Sequence, residues 1–590
     1  MKRLYIVIFL LPYLLFGQQK MFDPPLSKRI ANYTIDCRLD PEKKTVSGNE
    51  LLIWRNSSDH PVDELQFHLY QNAFSDVSSS HLTEMAEVPE KLIGHWGYCR
   101  VLKMGLPDGT DLVPRIIYIQ PDDGNPHDKT ACSVKLPKPV APGEELSISI
   151  AFETKLPPVI SRSGYEKNFF SVTQWFPKIG VYENGEWVCH QYHSHGEFYS
   201  DFGVYDVTIT VPEEYIVGAT GVRIEEEKLG NGWKKLRHYC EDVHDFAWCA
   251  DPDFVEIRDR FEDTEIRFLC QPDHVVIADR FIKAVKICFK YYGSRYGQYP
   301  YPIVTMVDTK HRDTGEMEYP TLFLTGNFDA DYKIEVYQSE PLPDSELYIE
   351  WLTIHEFGHN WWMGIVANNE TDHVWIDEGI NSYASTKALE YGYGKYLLKN
   401  YEGLTRTARE HERNYYLVRP KAATVLQPSW LYRPGDEFFT FTYCKPELML
   451  HTLNNYFGDK VWGTVMKTFF QRWKFKHPGT EDFYRVIYEV TGRNLKRFLD
   501  EYMKTTHTLD FKVEKVEDNK VWIKREGALR FPVTILVHFV DDNVEVREWD
   551  NVRDTVMYDF SDAPEIEYVK IDPEHIIEFE LNRDNNNWIK

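Results

Sequence analysis

The sequence is short of positive charge: 67 Lys and Arg stand against 92 Asp and Glu, which gives a formal net charge of −25 over 590 residues. Phosphate contacts need Lys and Arg, so a nucleic acid is excluded as the partner. Beyond the N-terminal segment there is no run of about 20 apolar residues, which excludes a membrane transporter. The nine cysteines contain no Cys-x-x-Cys pair, which argues against a cysteine zinc site and a disulfide-framed miniprotein. Most of these thiols are predicted to be small buried side chains.

The hydrophobic and aromatic content of the sequence indicates a folded chain. Hydrophobic residues make up 43% and aromatic residues 15% of the sequence, which excludes a disordered protein. At roughly 100–200 residues per domain, the length predicts three or four domains.

The N-terminus has the pattern of a secretory signal peptide. Lys2 and Arg3 precede the apolar run 4–16, and small and polar residues follow from Gly17. A buried first strand and a membrane anchor are the alternatives, but the run is shorter than the roughly 20 residues that span a bilayer. We therefore predict a signal peptide over residues 1–18, export to the periplasm or the cell exterior, and no stable membrane insertion.

Hydrophobic periodicity divides the rest of the chain into three regions. From about 30 to 250 and again after 506, apolar residues alternate with polar ones, which predicts antiparallel strands. Between these regions the period lengthens to that of helices. Helices are predicted over 275–297, 347–366, 377–391, 395–415, 445–457, 460–473, 480–491 and 495–503. The fold class expected is multidomain α+β, with an antiparallel β domain first.

One short motif carries metal chemistry. His355 and His359 are four residues apart on a predicted helix, so both imidazoles lie on one face and can bind one metal ion. Glu356 lies beside them, where it can handle a water proton. After eighteen more residues comes Glu378, which completes a His-His-Glu set typical of a catalytic zinc with one open position. A solvated helix face, or a metal-free copy of the site, is the alternative.

Three further segments make the chain resemble the aminopeptidase N family of zinc metallopeptidases. Gly315, Met317 and Glu318 occur in Gly-Glu-Met-Glu-Tyr, which is similar to the family's Gly-x-Met-Glu-Asn, with Tyr319 in place of Asn. Tyr-Cys-Lys at 443–445 is similar to the family's Tyr-x-Lys segment. Gln174, in Gln-Trp-Phe-Pro, occurs where the family has a Gln that contacts the substrate amine.

The resemblance implies a role for each of these residues. One zinc ion per chain, bound by His355, His359 and Glu378, would activate a water for attack on peptides with a free N-terminus. Glu356 would be the general base, and Tyr443 would stabilise the oxyanion.

The resemblance also implies substrate-binding residues. Glu318 would bind the α-ammonium, with Gln174 as a second acceptor and with Gly315 and Met317 shaping the same segment. Without the resemblance, the alternatives are that Gln174 is an ordinary surface residue and that Tyr443 is an ordinary packed aromatic residue.

The family's architecture implies domain boundaries at 25–250 for the N-terminal β domain, 251–505 for a thermolysin-like catalytic domain and 506–590 for a C-terminal β-sandwich. Many relatives carry a further large helical domain, and a short form without it is expected here. A thermolysin-like endopeptidase, a lipid epoxide hydrolase and a non-catalytic binding protein remain as alternatives.

Three histidines and two carboxylates stay unassigned. His190, His193 and His195 are closely spaced, and surface positions are predicted because no carboxylate pattern near them indicates a second metal. Either Asp372 or Asp377 could orient a ligand imidazole.

Overall fold

The computed structural model describes residues 20–85, 87–196, 198–309, 315–326, 347–395, 398–399, 405–433 and 435–590. The predicted signal peptide lies outside these residues. Within the described part of the chain, no helix has both the length and the hydropathy needed to cross a membrane.

The N-terminal region is built of β-sheets. Its main sheet has seven strands in the order β15-β16-β13-β1-β2-β7-β4, and two four-stranded sheets follow the orders β10-β3-β6-β5 and β14-β17-β9-β8. The elements, with one short helix, are β1 (Ala31–Asp40), β2 (Thr45–Arg55), β3 (Val62–His68), α1 (Ser80–Glu84), β4 (Tyr98–Gly105), β5 (Ile116–Ile119), β6 (Ala131–Val140), β7 (Glu145–Lys155), β8 (Gly164–Glu166), β9 (Phe169–Val172), β10 (Lys178–Ile179), β11 (Val181–Glu183), β12 (Glu186–Val188), β13 (Gly203–Pro212), β14 (Ile216–Ala219), β15 (Val222–Gly230), β16 (Trp233–Val243) and β17 (Trp248–Asp251).

Alternation of buried and exposed side chains explains these strands. In β1 every second residue, including Ile35, Cys37 and Leu39, is buried while its neighbours face solvent. The pattern has the period of two that one covered sheet face requires. Most neighbouring strands run antiparallel, whereas β1 and β13 pair in parallel.

The middle region is mixed α/β. Its five-stranded sheet has the order β18-β19-β20-β22-β21, with β19, β20 and β22 parallel and β21 antiparallel at the edge. The elements are β18 (Val255–Phe261), β19 (Thr264–Cys270), α2 (Ala278–Arg295), β20 (Ile303–Val307), β21 (Glu316–Met317), β22 (Leu322–Thr325), α3 (Tyr348–Gly358), α4 (Val374–Tyr393), β23 (Leu398–Lys399), β24 (Thr405–Arg406), α5 (Ala408–Val418), α6 (Asp436–Phe439), a π-helical turn (Thr440–Cys444), α7 (Lys445–Phe457), α8 (Asp459–Trp473), α9 (Thr480–Thr491) and α10 (Lys496–Lys504).

Two of the predicted helices are wrong in extent. The helix expected over 395–415 begins only at α5, where Thr407 caps it in a reciprocal capping box with Glu410. Upstream, β23 and β24 pair as a two-stranded ribbon. Residues 396–397 and 400–404 lie outside the described residues. The helix expected over 347–366 ends at Gly358 and continues as turns.

The C-terminal region returns to strands, as the alternation predicts. One sheet has the order β25-β26-β29 and the other β28-β27-β30-β31. The strands are β25 (Asp510–Glu517), β26 (Lys520–Glu526), β27 (Val533–Phe539), β28 (Val544–Trp549), β29 (Thr555–Asp559), β30 (Ile566–Ile571) and β31 (Asn587–Ile589). The coarse order of β sheets, mixed α/β and β strands is therefore confirmed.

All nine cysteines are buried and unpaired with one another, which agrees with their predicted role as core side chains. Burial raises the pKa of several thiols, for example that of Cys132 to about 12. A thiol in that environment stays protonated and behaves as a hydrophobic side chain.

Candidate metal centre

Helix α3 and the residue after it bring two imidazoles together. His355 and His359 point the same way, and their Nε2 atoms are 3.1 Å apart. Both side chains are buried, with 4% and 1% of their surface exposed. At this distance only one of the two ring nitrogens can donate a proton to the other. The pair is therefore suited to bind one cation in a site without water.

Glu378 comes from the first turns of α4 and closes the set. Its Oε2 lies 3.3 Å from Nε2 of His355 and 3.3 Å from Nε2 of His359. Donors held about 2.0–2.1 Å from one tetrahedral ion are separated by roughly 3.3 Å. The three donor atoms, separated by 3.1–3.3 Å, thus fit a zinc ion.

Close packing of α3 on α4 sets this geometry. A Cβ added to Gly358 would lie 2.4 Å from Oδ1 of Asn381 and 2.7 Å from the hydroxyl of Tyr292, so only glycine fits between the helices. Asn381 Nδ2 donates to the carbonyl oxygen of His355 over 2.8 Å. This bond joins the helix that carries the imidazoles to the helix that carries the carboxylate.

Asp377 fixes the second imidazole. Its Oδ1 lies 2.6 Å from Nδ1 of His359, deep in the protein. Burial opposes a charge on His359, but the charges of Asp377, Glu318 and Glu378 together raise the pKa of this imidazole well above its usual value. Of the two carboxylates left open by the sequence, Asp377 therefore orients the ring, whereas Asp372 lies 3.3 Å from His190.

Glu356 and Glu318 are two further buried carboxyls at the same place. They are 6% and 4% exposed. Burial raises the pKa of both groups, and the charge of Glu318 raises that of Glu356 further. Glu318 directly follows the edge strand β21, and ligand-type atoms of Glu318, His359 and Asp377 all lie within 4.8 Å of one another.

Tyr443 lies in the π-helical turn Thr440–Cys444. Its hydroxyl donates a hydrogen bond to Oε1 of Glu378. Its ring lies 5.6 Å from the ring of His355 at an angle of 21°. Such wide turns inside helices occur frequently at functional sites. Hydrophobic periodicity does not predict such turns. Only the Tyr-Cys-Lys motif at 443–445 therefore indicated a role for this tyrosine.

Gln174 is buried and has a left-handed backbone, with φ of 50°. Its Nε2 donates to Oδ2 of Asp245 over 2.8 Å, and the same oxygen lies 2.8 Å from Nζ of buried Lys178. The amide oxygen Oε1 has no hydrogen-bond partner among the described residues. The bond to Asp245 thus holds the Gln174 amide group, and the amide oxygen Oε1 remains available to accept a hydrogen bond.

The other two predicted binding residues lie on the segment before Glu318. Gly315 has a φ of 68°, a conformation that suits glycine, and it precedes β21. Met317 is buried, and its Sδ accepts a hydrogen bond from Nε of Arg162 over 3.0 Å. Sequence spacing could not have found Arg162, because 155 residues separate it from Met317.

The prediction of surface positions for the histidine cluster is wrong. His193 is buried and bonded to Glu84 and Asp122 at 2.6 and 3.1 Å, and His190 bonds to Asp122 at 2.8 Å. These carboxylates raise the pKa of both histidines to about 9 in spite of burial. His195 is half-buried and stacks on Phe438 at 4.8 Å.

Comparison with known proteins matches residues 281–502 to the peptidase family M1 domain. The matched region contains all three metal-ligand candidates and Tyr443. Residues 281–502 are therefore similar to the peptidase family M1 domain. The resemblance noted in the sequence is thereby confirmed.

Curated relatives extend the match beyond the M1 domain. Glutamyl aminopeptidase of Sus scrofa is 19% identical over 411 residues, which are 65% of this chain and 42% of that protein. Aminopeptidase N of Lactococcus lactis subsp. lactis is 19% identical over 180 residues, which are 29% of this chain and 20% of that protein. The chain thus spans less than half the length of these relatives.

The fold of the chain has a counterpart among solved structures. The crystal structure of Legionella pneumophila aminopeptidase A in complex with aspartic acid aligns with a TM-score of 0.61 at 12% sequence identity. The alignment covers 90% of this chain and 57% of that one. At this identity the likeness concerns the fold.

Proposed function

We propose that this chain is a zinc-dependent aminopeptidase that hydrolyses N-terminal residues from peptides. The observation that carries the proposal is the triangle of donor atoms from His355, His359 and Glu378, with the buried carboxyl of Glu318 beside it. The triangle suits a metal ion, and the extra carboxyl suits a substrate amine. The match of residues 281–502 to the peptidase family M1 domain supports the same activity.

The metal ion and Glu356 have separate roles in the attack of water on the scissile carbonyl. When bound by the three donors, one zinc ion per chain supplies Lewis acidity toward the scissile carbonyl and water. Glu356 accepts the proton of the attacking water and returns it to the departing amine. Burial and the charge of Glu318 raise the pKa of Glu356, which makes it a stronger base than an exposed carboxylate.

Tyr443 serves as the hydrogen-bond donor to the developing oxyanion. Burial, with the charge of Glu378, raises the pKa of its phenol well above 10, so the hydroxyl keeps its proton. Its bond to Glu378 holds the hydroxyl at the site before substrate arrives. Because the hydroxyl has a single hydrogen, it releases Glu378 when it donates to the oxyanion, and it stabilises the charge that develops there.

Glu318 restricts the reaction to free N-termini. Its buried carboxylate can form a charge-assisted hydrogen bond with an α-ammonium, which contributes about 1.5–3 kcal/mol. The open acceptor Oε1 of Gln174 adds a second contact to the same ammonium. A peptide without a free amine leaves a buried carboxylate without its cation, so internal cleavage is disfavoured.

We also assign domains and a compartment. The β sheets of the first region, the mixed α/β region and the two C-terminal sheets support division into an N-terminal β domain (25–250), a thermolysin-like catalytic domain (251–505) and a C-terminal β-sandwich (506–590). The N-terminal sequence pattern supports removal of residues 1–18 and export to the periplasm or cell exterior.

The test is a panel of aminoacyl anilides assayed with wild type and Glu356→Gln. Wild type should release the chromophore with chelator-sensitive kinetics and one zinc per chain. Glu356→Gln should bind zinc but lose most turnover, since it keeps the shape of the side chain without its basicity. An absence of activity toward every anilide in zinc-loaded wild type would overturn the proposal.

N-terminal acetylation separates exopeptidase from endopeptidase action. A peptide that is cleaved when its amine is free should resist hydrolysis after acetylation. Undiminished cleavage of the acetylated peptide would mean that the site works as a thermolysin-like endopeptidase.

A further inference from the structure

The π-helical turn Thr440–Cys444 determines where the hydroxyl of Tyr443 lies. A turn of this kind holds more residues than an α-helical turn, so it changes the direction of the side chains in it and after it. Such turns are rare, because the α-helix is the more favourable arrangement of the same backbone. The groups that hold this turn therefore control the position of the proposed oxyanion donor.

A buried carboxyl on α5 makes one such contact. Sγ of Cys444, the last residue of the turn, donates a hydrogen bond to Oε2 of Glu412 over 2.7 Å. Both side chains are buried, with 3% of Glu412 and 0% of Cys444 exposed. Burial raises the pKa of this carboxyl to about 7, and the hydrogen bond from the thiol opposes the rise. The bond joins α5 to the backbone of the residue that follows Tyr443.

A carboxyl at the position of Glu412 is unfavourable for folding. A thiol is a weak hydrogen-bond donor, and none of the described Lys, Arg or His residues forms an ion pair with Glu412. Glu447 on α7 is also buried, and the charge of Glu412 adds to the effect of burial in raising its pKa. An apolar side chain of similar volume is often as stable or more stable in such a place. Packing alone therefore does not explain this carboxyl.

Aromatic rings connect α5 to Tyr443 by a second route. The ring of Tyr415, on α5, lies 5.1 Å from the ring of Phe439 in an edge-on arrangement. The ring of Phe439 in turn lies 4.9 Å from the ring of Tyr443. Helix α5 thus supports the turn both before Tyr443, at Phe439, and after it, at Cys444.

We propose that Glu412 is a positioning residue, which holds Cys444 so that the π-helical turn directs the hydroxyl of Tyr443 toward the oxyanion. The inference rests on the proposed aminopeptidase function and adds a residue that supports its oxyanion donor. Glu412 acts through Cys444 and takes no part in bond cleavage.

The test breaks the bond between thiol and carboxyl from each side, with Cys444→Ala and with Glu412→Met. In both variants kcat should fall about three- to tenfold on an anilide that wild type hydrolyses, in line with the loss of one hydrogen bond. KM and zinc affinity should stay unchanged, because neither depends on the oxyanion donor. Glu412→Met also removes the buried carboxyl, so it should fold even if Cys444→Ala does not.

Two further variants serve as rescue and control. Cys444→Ser keeps a hydrogen-bond donor next to Glu412 and should recover most of kcat. Cys132→Ala removes a buried thiol from β6 and should keep the wild-type kcat.

Tyr443→Phe provides the background that separates positioning from a general structural role. Because the proposed effect passes through the Tyr443 hydroxyl, adding Cys444→Ala to Tyr443→Phe should cause no further loss of kcat. A crystal structure of Cys444→Ala should also show the Tyr443 hydroxyl displaced from Glu378, to which it donates in the wild-type chain.

The outcomes separate the two proposals. An unchanged kcat in folded Glu412→Met or Cys444→Ala would overturn the role of Glu412 and leave the aminopeptidase function intact. The same fold-loss in the Tyr443→Phe background as in wild type would also overturn it, since a general structural role does not depend on that hydroxyl. Inactivity of zinc-loaded wild type toward every anilide would overturn both proposals.

Discussion

Asp377 Oδ1 lies 2.6 Å from Nδ1 of His359, and this bond directs the other ring nitrogen toward Glu378 and His355. Partners that orient metal-binding imidazoles affect affinity for the metal, typically by about 10–100-fold. We expect Asp377→Asn to lower zinc affinity by about that factor, measured by competition with a chelator.

Asp372→Asn is the matched control for this variant. Asp372 lies five residues before Asp377 in sequence but bonds to His190 instead of a ligand imidazole. Its substitution should leave zinc affinity unchanged. Equal losses of zinc affinity in the two variants would mean that the negative charge of the region, and not the bond from Asp377 to His359, sets the zinc affinity.

Tyr443→Phe removes the proposed oxyanion donor together with its hydrogen bond to Glu378. We expect kcat to fall by about a hundredfold or more with a small change in KM, since the bond forms mainly in the transition state. Steady-state kinetics on one anilide measure this split. Tyr391→Phe, at an exposed position, serves as the control, and a rise in KM at constant kcat would assign Tyr443 to substrate binding.

Asp245 is predicted to matter for stability. It forms a buried ion pair with Lys178, whose side chain is 3% exposed. Asp245→Asn would leave the lysine charge without a counter-charge, which costs about 3–5 kcal/mol when a buried pair is broken. Urea unfolding should show this loss. Adding Lys178→Met should recover part of it, and a double variant as unstable as the single one would contradict the explanation.

The buried histidine cluster predicts a pH dependence of stability. The carboxylates of Asp122, Glu84 and Asp372 raise the pKa of His190 and His193 from 6.5 to about 9 in the folded protein. Groups whose pKa is higher in the folded state stabilise it fully below the unfolded value, and the stabilisation disappears as pH rises through the folded value. We expect the melting temperature to fall between about pH 6.5 and 9.5.

A double variant, His190→Gln with His193→Gln, isolates this effect. It should melt at a lower temperature than wild type near pH 6 and show a smaller decrease toward pH 9.5. Parallel curves for the two proteins would exclude the cluster as the cause of the decrease.

Local spacing explains what could be predicted from the sequence. The four-residue spacing of His355 and His359 places both rings on one face, and the helix that begins just before Glu378 supplies the third donor. Alternation likewise identified strands such as β13 and β27. In each case the contacts that determine the structure lie within one or two neighbouring elements. The spacing of residues along the sequence is therefore enough to predict them.

Contacts between distant segments explain what could not be predicted. Arg162 and Met317 are 155 residues apart, Gln174 and Asp245 are 71 apart, and Asp122 precedes His190 by 68. Each pair depends on how separate sheets pack, which spacing along the chain does not encode. The early start predicted for α5 has a different cause: the local capping signal Thr407-x-x-Glu410 marks the beginning of the helix, and hydrophobic periodicity does not include it.

The nine buried thiols have a consequence for the conditions the protein tolerates. With no disulfide among them, the fold gains none of its stability from covalent cross-links. Reductants such as dithiothreitol should therefore leave its unfolding midpoint unchanged, and moderate oxidants should find no accessible thiolate.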